Sequence, residues 1–195
     1  MVGKRNKMTQ KILPLSLPVE LIVLTRTSVF VILSFLSFAI PFSLGHPQWL
    51  VGTIVNTCLF LGAIFLPSRL YLPLIIFPSL GVISRGIIFG PFTPFLIYFL
   101  PFIWLANLIL ILVFKRSFPR FKYIFSVFLA TTAKFLLLVI IANVYFKFHF
   151  APGIFLQAMG VNQLLTALSG GIISWTIFNF YGECYARSQK INKSS

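Results

Sequence analysis

The sequence predicts an all-α integral membrane protein with six transmembrane helices and both termini in the cytoplasm. Composition is the first reason: 58% of the 195 residues are hydrophobic and 9% charged, against about 45–50% and about 25% in soluble domains. The second is the length of the apolar runs, which reach the ~20 residues that a helix needs to cross the hydrocarbon. Such runs must satisfy their own backbone hydrogen bonds, which leaves helices, and no alternating ten-residue pattern of a barrel is visible. The third is charge placement. Of the 16 Lys and Arg residues, all but Arg85, Lys134 and Lys147 fall on one side of the six runs, and cationic loops stay on the cytoplasmic side.

Each span has its own signature. A basic stretch carrying Lys4, Arg5, Lys7 and Lys11 precedes the first span, Leu21–Leu44. That span is too long for a signal-peptide core and lacks a small-x-small cleavage site. The second, Pro47–Leu66, follows a short loop and carries Asn56; the third, Tyr71–Phe89, is punctuated by Pro73, Pro78, Gly81 and Gly86. The fourth, Thr93–Phe114, contains Pro94 and Pro101, and the fifth, Phe121–Phe146, has Lys134 at its centre. Proline removes a donor and strains the preceding turn, so helices across the second to fourth spans are expected to be kinked or interrupted with freed carbonyls, the alternative being that these residues merely shape loops and tilt. The sixth, Gly153–Phe180, places Gly160, Ala167, Gly170, Gly171 and Ser174 at spacings that suit close helix packing. The chain therefore divides into a basic tail over 1–20, a membrane domain over 21–181 and a second basic tail over 182–195, with no internal repeat.

A net charge of +14 would suggest nucleic acid in a soluble protein, but basic residues at membrane ends point to anionic lipids instead. Cys58 falls inside a span and Cys184 in the basic tail, so no disulfide joins them. Glu20 and Glu183 are the sole carboxylates, which excludes paired-carboxylate catalysis and an embedded coupling acid. His46 and His149 have no acidic partner, no metal-ligand cluster is present, and the phosphate-cradling GxxxxGK[ST] sequence is missing. The chain reads as a non-enzyme without cofactor or metal.

Uncharged polar and cationic side chains converge between mid-membrane and the outer surface. His46, Gln48 and Trp49 lie in or near the first loop, Asn56 deeper, Arg85 at the outer end of the third span, then Tyr98, Trp104 and Asn107. Lys134, Asn143, Gln157, Asn162 and Gln163 complete the set. An ammonium at the centre of a spanning helix costs about 2.5–3.5 kcal/mol, and no carboxylate in the spans neutralises Lys134. Its partners are carbonyls and water, or a bound anionic or carbonyl-bearing ligand. Arg85 lies near enough to the interface to snorkel. The candidate substrate-binding residues are Asn56, Arg85, Trp104, Asn107, Lys134, Asn162 and Gln163.

Several ordered stretches carry a family likeness: Gly52-Thr53-Ile54-Val55-Asn56, Pro91-Phe92-Thr93-Pro94, Pro101-Phe102-Ile103-Trp104-Leu105-Ala106-Asn107 and Lys134-Phe135. With Met159-Gly160-Val161-Asn162-Gln163-Leu164-Leu165-Thr166-Ala167-Leu168-Ser169-Gly170-Gly171, the chain over about residues 47–175 resembles the substrate-binding S components of energy-coupling factor (ECF) transporters. The resemblance implies a cell-membrane subunit that captures a vitamin or other micronutrient from outside. It would work with a membrane coupling subunit driven by cytoplasmic ATPases. The Ala-xxx-Ala face that such proteins often carry on the first helix is missing, since Ser28, Ser34, Ser37 and Ala39 fall at other spacings. A membrane scaffold or assembly subunit that binds no small ligand is the alternative.

Overall fold

A computed structural model describes residues 19–44, 46–86 and 90–194. The basic residues Lys4, Arg5, Lys7 and Lys11 and the end of the third span at Phe89 lie outside the described residues, as do the side chains of Glu20, Pro91, Thr93, Glu183, Cys184, Arg187, Lys190 and Lys193.

The described residues are helical without strands: α1 Val19–Ser43, α2 Gln48–Phe65, α3 Tyr71–Arg85, α4 Leu96–Ser117, α5 Tyr123–Lys147, α6 Ile154–Met159 and α7 Val161–Ser194, with short 3-10 turns at Ser68–Leu70 and Gly90–Phe95. Five stretches are long and apolar enough to cross a membrane, in α1, α2, α4, α5 and the α6–α7 run Ile154–Tyr181. This chain is therefore an all-helical protein of membrane type.

The third expected span falls short. At 15 residues, α3 rises about 22 Å, less than the ~30 Å hydrocarbon core. It stops because Gly86 adopts a left-handed conformation (φ 77°) and its N–H closes on the Val82 carbonyl, the common glycine end of a helix. The sixth expected span is broken rather than continuous. Gly160 leaves helical geometry (φ −95°, ψ −111°), and a β-carbon there would stand 2.4 Å from the Leu156 carbonyl oxygen. The chain restarts as α7 through Gln163 and Leu164 N–H bonds to Gly160 O.

Helix α2 is the axle of the bundle: it packs on α1, α3, α4 and α7, and 11 of its residues are buried. Around its second half lies one apolar core, with Phe60, Leu74, Leu110, Phe114 and Val127. A second core at the other end joins Leu96, Phe99, Leu138, Ala142 and Phe155. Helices α4 and α5 serve both. On α5 the buried stripe runs Tyr123, Val127, Ala130, Lys134, Leu138, Ala142, so Lys134 sits where one core gives way to the next. Asn107 holds the same position on α4, between Ala106 and Leu110. Polar atoms thus occupy a seam between two hydrocarbon clusters.

Small residues of α7 let it close on two neighbours. A β-carbon on Gly170 would lie 2.8 Å from the Thr57 backbone nitrogen and 2.9 Å from the Thr53 carbonyl oxygen of α2, while one on Gly171 would lie 2.3 Å from a methyl of Val127 on α5. The backbone of α2 cannot yield as a side chain does. Gly170→Ala is therefore expected to lower stability by about 1–3 kcal/mol, read as a lower unfolding midpoint in mild detergent; an unchanged midpoint refutes the close approach.

Candidate functional site

The site forms where α2, α4 and α5 cross at the seam. Lys134 is 3% exposed, and its Nζ donates to Asn56 Oδ1 at 2.8 Å and Asn107 Oδ1 at 2.9 Å. An ammonium only donates, so both amides must present oxygen to it. Their other ends are engaged: Asn56 Nδ2 donates to Gly52 O (2.8 Å) and Thr166 Oγ1 (3.3 Å), and Asn107 Nδ2 donates to Ile75 O at 3.2 Å. Each asparagine is thereby held in one orientation. Two of the three Nζ donors are used, and the third has no acceptor among the described residues.

The Ile75 carbonyl belongs to the turn that Pro78 disrupts in α3, and Ser79 Oγ donates to Ile76 O in the same turn at 2.9 Å. One backbone carbonyl near the proline, that of Ile75, thus accepts from a neighbouring helix. Lys134 itself uses no backbone carbonyl; its acceptors are side-chain amides.

A cavity of about 110 Å³ adjoins this network, lined among others by Gln48, Asn56, Asn107, Lys134, Asn162 and Gln163. It reaches from mid-depth toward the bundle end opposite Arg69, Lys115, Arg116, Arg120 and Lys122. Gln48, Asn162 and Gln163 are partly exposed, and no hydrogen bond of their side chains to a described residue is present. Three uncommitted amides therefore face the same space as a partly uncommitted ammonium. Met159, Val55, Leu96 and Ile103 supply apolar wall. No aspartate or glutamate occurs anywhere between Leu21 and Gly182, so the chain places no counter-charge in the spanning region.

Five of the seven candidate residues, Asn56, Asn107, Lys134, Asn162 and Gln163, meet at the cavity. Trp104 does not line it; its indole N–H donates to Ser79 Oγ at 2.6 Å, and Ser79 forms part of the wall. Arg85 is elsewhere. Its Nη1 donates to Phe42 O at 2.8 Å and also to Ser43 O, filling the carbonyls that the end of α1 leaves open. A cation at a helix carboxyl end is favourable, which gives Arg85 a capping task instead of a place in the cavity. Tyr98 and Gln157 are exposed, and Asn143 bonds within its own helix to Val139 O.

Thr166 and Ser79 line the cavity without having been singled out. Thr166 lies three and four residues beyond Gln163 and Asn162, which puts it on their helical face; Ser79 directly follows Pro78 in α3. Among the described residues no three of His, Cys, Asp and Glu come together. Compared with protein-family models, characterised proteins and solved structures, the chain matches none.

Proposed function

We propose that this chain is the substrate-capture subunit of an ECF-type importer in the cell membrane, binding a small organic micronutrient without transforming it. The observation that carries the reading is the buried Lys134 ammonium with no acid in the spans, two amide acceptors and a remaining donor beside a cavity. A charge so placed costs several kcal/mol. A ligand that brings a carboxylate or a strongly polarised carbonyl recovers part of that cost. A cationic ligand would find no counter-charge.

The distribution of Lys and Arg orients the bundle with its basic end in the cytoplasm, and the cavity half then faces outward. Coupling to a membrane partner and cytoplasmic ATPases is what the family resemblance suggests, and a chain without a nucleotide motif or embedded carboxylate has need of such a partner.

The test is chemical. Protein extracted gently from cells grown in rich medium and then denatured is expected to release one anionic or carbonyl-bearing compound, near one per chain, by mass spectrometry. ATPase subunits are expected to copurify. Release of no compound, together with no thermal stabilisation by any member of a vitamin panel, overturns the proposal.

A further inference from the structure

A second concavity shares no lining residue with the Lys134 cavity. It is a groove of about 190 Å³ between α1, α2 and α7, lined by Thr25, Arg26, Val29, Ile32, Leu33, Leu61, Phe65, Ile177 and Tyr181. Its wall is almost wholly apolar, and Arg26 is the one charged residue that borders it. Thr25, Arg26 and Tyr181 lie toward the end that carries Arg69, Lys115 and Arg116, whereas Val29, Ile32, Leu33 and Leu61 lie deeper. From Arg26 to Leu33 the helix rises about 10 Å, so the apolar part is a channel running into the hydrocarbon.

We infer that this groove is a specific seat for one anionic phospholipid, with an acyl chain along Val29, Leu33 and Leu61 and the headgroup phosphate on Arg26. Charge and depth together choose the occupant. Arg26 is exposed and makes no ion pair or hydrogen bond with a described residue, and a guanidinium offers the planar donor fork that suits phosphate. A peptide or second helix of ordinary apolar composition would fill the channel and leave that cation unmatched. A phospholipid meets both ends with one molecule, and in a bilayer it is already present at high concentration along this face, where Ile32 and Ile177 are exposed. The groove is separate from the Lys134 cavity, so its occupancy does not depend on what that cavity binds.

The experiment uses the full chain in mild detergent supplied with equal amounts of phosphatidylglycerol and phosphatidylcholine, with retained lipid counted by native mass spectrometry. One phosphatidylglycerol per chain is expected, in preference to phosphatidylcholine. Arg26→Gln, at an exposed position, is expected to fold normally and to lower that preference about fivefold, the share of one basic residue near an anionic headgroup. Val29→Trp, which blocks the channel, is expected to remove retained lipid of either kind, while Arg116→Gln leaves the preference unchanged. The inference is overturned if R26Q keeps the wild-type preference, or if R116Q lowers it as much as R26Q does. Lipid retained by V29W, or a lipid-free dimer closed over this face, also overturns it.

Discussion

Lys134→Met is expected to weaken binding of the captured solute by roughly 10- to 150-fold, the equivalent of one hydrogen bond to a charged group at about 1.5–3 kcal/mol. Methionine keeps most of the length and the apolar character of the lysine stem but offers no donor. The substitution also removes a charge whose insertion is unfavourable, so the folded state gains in one respect. It loses the two bonds to Asn56 and Asn107, whose oxygens then face the cavity and are available to water. These effects oppose one another, and the unfolding midpoint without ligand is expected to move little. The measurement is a pair of titrations on wild-type and K134M protein with the compound released by mass spectrometry. Equal affinities would remove Lys134 from the site.

Asn56→Leu with Asn107→Leu is expected to act in the reverse manner, through the fold. Each change deletes a neutral acceptor and leaves the ammonium buried, at about 1.5–3 kcal/mol apiece; together they take about 3–6 kcal/mol, a large share of the stability of a typical domain. Adding Lys134→Met removes the stranded charge, so the triple variant is expected to recover most of the loss. Coupling of this kind is what residues sharing one network show. Unfolding midpoints of the single, double and triple variants in one detergent decide it. A triple variant no more stable than the double would mean that the asparagines stabilise the bundle for reasons unrelated to Lys134.

The membrane class and most helices were legible because hydrophobic run length is a direct physical requirement of the bilayer. Lys134 was legible for the same reason inverted: a cation amid apolar residues, on the stripe that also carries Val127, Ala130 and Leu138, has to face inward. Asn56 and Asn107 follow once the spans are aligned in depth. Other features turn on conformation, which letters alone do not display. Gly86 could have sat inside a helix, and its left-handed φ is what shortens α3. Gly160 could have belonged to a packing stripe, yet it breaks the helix. Arg85 illustrates a further limit. Depth placed it near the polar cluster, but the carboxyl end of α1 offered nearer acceptors, and which helix ends meet is settled by tertiary packing. Trp104 has an indirect role for a like reason, since the hydroxyl of Ser79 intercepts its N–H.

The Arg85 clasp has a mechanical consequence. Along with its bonds to Phe42 and Ser43, Gly81 brings α3 so near the Phe38 carbonyl that a β-carbon would stand 2.5 Å away. Pro41 from α1, with Pro78, Ser79 and Val82 from α3, forms one wall of the Lys134 cavity. Two segments distant in sequence are thus fastened together as one panel of that wall.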